Sequence, residues 1–201
     1  NKCYVNLLQR REGKSTHGLS VRYPSIDAFT TGFKKKDLII LAARPSMGKT
    51  SLALNFAVNV AKRNIPVLIF SLEMDDEQIG DRLVLSELFR TRGRGPEEVT
   101  AFDYATKMTD TQFAVTQSIF NDLYKLPIQI VDKRGLTVAE IRAKARKAKA
   151  ERPNLGLIII DYLQLIKPPA DTRKNWSLVV GDIVRELRDL AGELDLPLIL
   201  L

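Results

Sequence analysis

Five short apolar runs set the limits on what this chain can fold into. They cover residues 38–43, 67–72, 127–131, 157–161 and 197–201, and each is rich in Ile, Leu or Val without polar alternation. A strand wetted on one face alternates apolar and polar side chains, whereas a strand covered on both faces does not. The runs therefore predict strands with helices above and below. The segments between them carry helical periodicity: Leu52, Phe56, Val60 and Ala61; Ile79, Leu83 and Leu88; Phe113, Val115, Ile119, Phe120 and Leu123; Val138, Ile141, Ala145 and Ala148; and Ile183, Leu187, Leu190 and Leu194. Strand and helix in alternation give an α/β fold, a mostly parallel sheet with helices on both faces. Pro66, Pro127 and Pro197 stand just before three of the strands, where a missing N–H is tolerated.

With 201 residues, 45% hydrophobic and 27% charged, the chain has room for one globular domain. Its longest apolar runs are six residues, against the roughly twenty that a membrane-spanning helix needs. No basic segment followed by an apolar stretch opens the chain. The single cysteine, Cys3, cannot form an internal disulfide and fits a reducing compartment. The expectation is a cytoplasmic protein with no membrane contact.

The net charge is +7, a balance that invites a nucleic-acid reading. Its location matters more than its size. Residues 133–152 hold eight basic side chains and two acidic ones, so the rest of the chain is nearly neutral. Within that segment Val138, Ile141, Ala145 and Ala148 form one helical stripe, and Arg142, Lys144, Arg146, Lys147 and Lys149 fan over the other side. A solvated outer face and a DNA contact both fit this pattern, and the solvated face is the expectation.

The strongest chemical signal is Ala43-Arg44-Pro45-Ser46-Met47-Gly48-Lys49-Thr50, lying between an apolar strand and a helical pattern. That is the context of a phosphate-binding loop. Backbone N–H groups and a helix N-terminus face the phosphates, a lysine neutralises charge and a hydroxyl reaches Mg²⁺. Lys49 and Thr50 fill the last two roles, and Gly48 lets the backbone approach the ligand. The general pattern opens with glycine; this chain has Ala43. Asp161 closes the run at 157–161, and an acid at the carboxyl end of a buried strand lies where ligands bind in such sheets. There it would support the Mg²⁺ bound at Thr50. Glu73, in Ser71-Leu72-Glu73-Met74, reaches the same sheet edge. It is either the group that activates an attacking water or a helix-start acid, since Asp75, Asp76 and Glu77 follow.

Taken together, the phosphate loop, Phe70-Ser71-Leu72-Glu73-Met74 and Ile159-Ile160-Asp161-Tyr162-Leu163-Gln164-Leu165 resemble the C-terminal motor domain of the DnaB-type replicative DNA helicases. The resemblance runs from about Leu19 to the end of the chain, and alanine at the first loop position is usual in that family. It implies a RecA-like P-loop NTPase core with ATP and Mg²⁺. Nucleotide binding would fall to Arg44, Pro45, Ser46, Met47, Gly48, Lys49, Thr50, Ser51 and Arg82. Glu73 and Lys49 would be catalytic, and Thr50 and Asp161 would hold the metal. It further implies a ring hexamer that translocates on single-stranded DNA, with residues 167–176 where one DNA-facing loop would lie; an ordinary surface loop fits that stretch equally.

The same resemblance implies that residues 1–17 are a linker from an amino-terminal domain that contacts primase, with primase and the helicase loader bound through that domain and other surfaces. Residues 18–201 would then be the ATPase domain, cut before its γ-phosphate-sensing glutamine, arginine finger and second DNA loop. Such a piece is expected to bind nucleotide, to hydrolyse it poorly and not to unwind DNA. Two other classes share the core motifs: a recombination or repair ATPase resembling RecA or RadA, and a nucleotide-gated adaptor such as a helicase loader. Ser-Leu-Glu-Met and Asp-Tyr-Leu-Gln-Leu weigh against the recombinase. His17 and Cys3 are expected to be chemically bland, and Trp176 to anchor packing.

Overall fold

The computed structural model describes residue 4 and residues 18–44, 46–91, 98–167 and 176–201. All five apolar runs form strands: β1 (Leu38–Ile40), β2 (Val67–Ser71), β3 (Ile128–Val131), β4 (Leu157–Asp161) and β5 (Leu198–Leu200). They make one sheet in the order β1-β5-β4-β2-β3, and every pairing is parallel. Helices among the described residues include α1 (Pro24–Thr30), α2 (Lys49–Ala61), α3 (Asp76–Thr91), α4 (Ala101–Ala105), α5 (Asp110–Tyr124), α6 (Val138–Glu151) and α7 (Trp176–Leu194), with a 3₁₀ turn at Leu163–Leu165.

The period-two geometry of a strand sends successive side chains to opposite faces, and the core divides accordingly. Val67, Ile69, Leu157, Ile159 and Ile199 point to the face covered by α2 and α3, where they meet Leu54, Phe56, Val60 and Ile79. Leu68, Phe70, Ile158, Ile160, Leu198 and Leu200 point to the other face, against Val138, Ile141 and Ala145 of α6 and Ile183, Leu187 and Leu190 of α7. Complete burial of each large side chain contributes roughly 1.5–3 kcal/mol, so both layers are firmly seated. The expected stripe on α6 is the buried one.

The expectation of strands covered on both faces holds for β2, β4 and β5, whose residues are all buried. It holds less well for β1 and β3, which are only partly buried. These two are the sheet's edges, so each lacks a neighbour on one side. β1 also ends at Ile40 instead of residue 43, since the chain then leaves the sheet for the phosphate loop. α1 and α4 went unread because they span seven and five residues, too short for a repeating stripe.

In α5 only part of the apolar pattern turns inward. Val115, Ile119 and Leu123 pack beside Val84, Leu88 and Val99, but Phe113 and Phe120 are more than half exposed. Trp176, expected to anchor packing, is also half exposed at the first turn of α7. Residues 1–3 and 5–17, with Cys3 and His17, lie outside the described residues, as do residues 168–175 of the expected DNA-facing loop. Among the described residues no helix is long and apolar enough to cross a membrane.

Side-chain ties join the two helices that carry the site, among them the Ser86 hydroxyl of α3 donating to Asn55 of α2 at 2.6 Å. The buried Glu87 of α3 accepts from Lys62, at the end of α2, at 2.7 Å, and pairs with Arg90. Arg90 also donates to Asn59 of α2 at 2.7 Å.

Candidate active site

The site forms where the carboxyl ends of β1, β4 and β2 meet the start of α2. Beyond β1 the Leu41 N–H still donates to the Leu200 carbonyl at 2.9 Å, and the chain then leaves the sheet. The Met47 N–H donates to the Arg44 carbonyl at 3.3 Å and closes a turn. Ser46 and Gly48 both adopt the left-handed backbone region, with φ of 63° and 79°. A Cβ on Gly48 would meet nothing within 4 Å, so the loop needs glycine there for its φ rather than for want of space. Gly48 caps α2, and the first helical bond runs from the Leu52 N–H to its carbonyl at 2.9 Å. The amides of Lys49, Thr50 and Ser51 precede that bond and stand at the positive end of the helix dipole, an arrangement suited to an anion.

Asp161 faces this helix end across the tip of β5. It is 5% exposed, and the Thr50 hydroxyl donates to its Oδ2 at 2.7 Å. Its other oxygen, Oδ1, is buried and has no hydrogen-bond partner among the described residues. Burial pushes the Asp161 carboxyl above its ordinary range, against the Thr50 hydrogen bond and the charges of Lys49 and Arg82, while Glu73 pushes it further up. Five side chains chosen from sequence therefore share one electrostatic neighbourhood. The Lys49 ammonium stands 5.0 Å from the centre of the Tyr162 ring, within reach of a cation–π attraction.

Glu73 is held beside Asp161 by strand register. Ser71 of β2 pairs with Asp161 of β4, and the Leu72 N–H donates to the Asp161 carbonyl at 2.7 Å. The buried Ser71 hydroxyl donates to the Met74 carbonyl at 2.6 Å and accepts from the Met74 N–H at 3.2 Å. This turn buries Leu72 and Met74 and leaves Glu73 exposed. Asp75 takes the helix-start role: its side chain accepts from the Gln78 N–H at 2.8 Å and its carbonyl from the Ile79 N–H at 3.2 Å. Glu73 is left free of that duty.

Of the other residues chosen from sequence, Arg44, Ser46, Met47, Ser51 and Arg82 are exposed around the site, and Lys49 and Thr50 are half-buried. Pro45 lies outside the described residues. Arg134 carries no motif, yet its Nη2 donates to the Glu73 carbonyl at 3.0 Å. Its place three residues beyond β3, at the end of the sheet where Asp161 and Glu73 lie, is the one signal that could have drawn attention to it.

Fold and site together define a RecA-like P-loop nucleotide-binding domain. Residues 18–201 match the family model of the DnaB-like helicase C terminal domain. The chain belongs to this family. It is 39% identical over 199 residues to the replicative DNA helicase DnaB of Geobacillus stearothermophilus, and 40% identical over 199 residues to the replicative DNA helicase DnaC of Bacillus subtilis. Each alignment takes in 98% of this chain and 41% of the relative, so the chain spans about two fifths of the length of these curated relatives. Among solved structures, a DnaB-like replicative helicase, solved in a study of its interactions with primase, superposes with a TM-score of 0.84 at 26% identity, covering 98% of this chain and 46% of that one. A separately solved ATPase domain gives 0.84 at 27%, covering 99% of this chain and 69% of that one. The RadB recombinase reaches 0.53 at 17% identity, covering 90% of this chain and 68% of that one, a likeness of fold alone. The helicase family is thus favoured over the recombinase and the adaptor.

Proposed function

We propose that this domain is the ATP-hydrolysing motor of a replicative DNA helicase, coupling turnover to translocation on single-stranded DNA and to duplex unwinding. The observation that carries the reading is the convergence of Thr50 and Asp161 at the open end of α2, with one buried carboxylate oxygen unpaired among the described residues. A buried acceptor without a partner is costly unless something binds it. A hard cation, or a water on one, suits that oxygen.

In this reading the amides of Lys49, Thr50 and Ser51 and the exposed loop around Arg44, Pro45, Ser46, Met47 and Gly48 cradle the phosphates, with Arg82 at the rim. Thr50 and Asp161 would hold Mg²⁺, which when bound would supply charge to offset what develops on the β- and γ-phosphates. Among the described residues no group of three His, Cys, Asp or Glu could hold a metal. Lys49 leaves the Tyr162 ring to neutralise the β- and γ-phosphates. Glu73 accepts a proton from water as the water oxygen bonds the γ-phosphorus and the bond to the β-phosphate oxygen breaks.

The partners that complete this reading are other copies of the chain in a ring hexamer, single-stranded DNA, and a primase and loader bound through regions outside this domain. The test is Glu73→Gln in the full-length protein. ATP turnover should fall by about 10²–10⁴-fold, the range supplied by general-base catalysis, while ATP binding persists. Unchanged turnover would remove Glu73 from the water-activating role.

A further inference from the structure

We infer that Arg134 is a positioning residue for the water-activating glutamate, holding Glu73 through its main chain. The inference rests on the proposed role of Glu73 and adds a component to it. Glu73 sits at the apex of a turn fixed on its far side by Ser71, whose hydroxyl holds both backbone groups of Met74. Its own carbonyl is held by the Arg134 guanidinium at 3.0 Å, a charge-assisted contact. Among the described residues the Glu73 carboxylate has no ion pair or hydrogen bond, so the turn beneath it is what aims it.

Arg134 works from a firm base. β3 pairs with β2 up to Val131↔Phe70, three residues before it. Gly135, with φ of 67°, turns the chain directly after it. Leu136 is fully buried, and its carbonyl accepts from the Lys167 N–H at 2.9 Å. Thr137 then caps α6, accepting from the Glu140 N–H at 3.3 Å. The turn is anchored on both sides, and the Arg134 side chain reaches from it to the turn that follows β2. Its loss would let the Glu73 apex wander by fractions of an ångström, and small misplacements of a reacting group are expensive in rate.

The test uses the full-length protein with Arg134→Ala, Arg134→Lys, Glu73→Gln and the Arg134→Ala/Glu73→Gln double variant. Arg134→Ala should lower kcat for ATP hydrolysis by about 10-fold with the KM for ATP and the thermal midpoint unchanged. Arg134→Lys, which keeps a cationic donor, should recover part of the loss. In the Glu73→Gln background the Arg134 substitution should cost nothing further, because residues acting as one unit are not additive. Two outcomes overturn the inference: unchanged kcat in Arg134→Ala, or an equal further loss in the Glu73→Gln background with a raised KM, which would make Arg134 a direct phosphate contact. If Glu73→Gln itself leaves turnover intact, the reading of Glu73 fails first and Arg134 loses its object.

Discussion

At the scale of single residues, Asp161 in the proposed reading would trade stability for a metal ion. Its carboxyl is buried with one oxygen satisfied and one not, and burial holds it above its ordinary value of 3.8. A group whose folded pKa is raised binds its proton more tightly in the folded state. Its contribution to stability is therefore complete at or below the unfolded value and is lost as pH rises through the folded one. Asp161→Asn keeps an acceptor for Thr50 and removes the buried charge. The metal-free domain should gain about 1 kcal/mol, or roughly 2–4 °C for a chain of this size, while the midpoint shift produced by Mg²⁺ with nucleotide disappears. Thermal melts from pH 4 to 8 check both, and a lowered metal-free midpoint would contradict the account.

These residues also mark the limit of sequence reading. Lys49, Thr50, Glu73 and Asp161 announce themselves through residue type and position at strand ends. Arg134 does not, because it grips a main-chain carbonyl 61 residues away, and any residue at position 73 would offer the same acceptor. The role of Gly48 was read as close approach to a ligand, while the structure adds a φ requirement that residue type alone does not separate from it.

At the scale of elements, the basic helix α6 shows why net charge is weak evidence for a partner. Several of its cations are engaged within the fold. Arg146 pairs with Glu193 of α7, Arg142 donates to the Glu186 carbonyl at 3.3 Å, and Lys149 to the Leu155 carbonyl at 2.9 Å. Lys147 stands 3.8 Å from Glu151, and Lys144 is exposed. Charge reversal at Lys144 and Lys147 should leave the salt dependence of DNA binding by the full-length protein within error, since its slope counts phosphates neutralised. A clear drop in slope would make α6 part of the DNA path. The helix was legible in sequence because its stripe of Val138, Ile141, Ala145 and Ala148 has a single buried face. In α5 the same residues marked the helix correctly, but Phe113 and Phe120 share its period without sharing its burial, and periodicity cannot distinguish an inward aromatic from an outward one.

At the scale of the whole molecule, strand number, type and direction followed from the apolar runs, but their lateral order did not. Order depends on which crossover passes over which strand, and that information is spread over every helix–sheet contact. The consequence is concrete, because β5 lies between β1 and β4. Thr50 and Asp161 meet over its tip although their strands are not neighbours. Ile199 in that strand is fully buried, so Ile199→Val should cost about 1 kcal/mol in a denaturant titration. The KM for ATP should not change, because backbone hydrogen bonds, not side-chain bulk, set the spacing between strands. In other words, the gap that the phosphate loop bridges is quantised. It measures two inter-strand steps of about 4.8 Å, a spacing that main-chain hydrogen bonds hold against small changes in side-chain bulk. The sheet is a ruler with fixed graduations, and fine adjustment is left to the turns at its end.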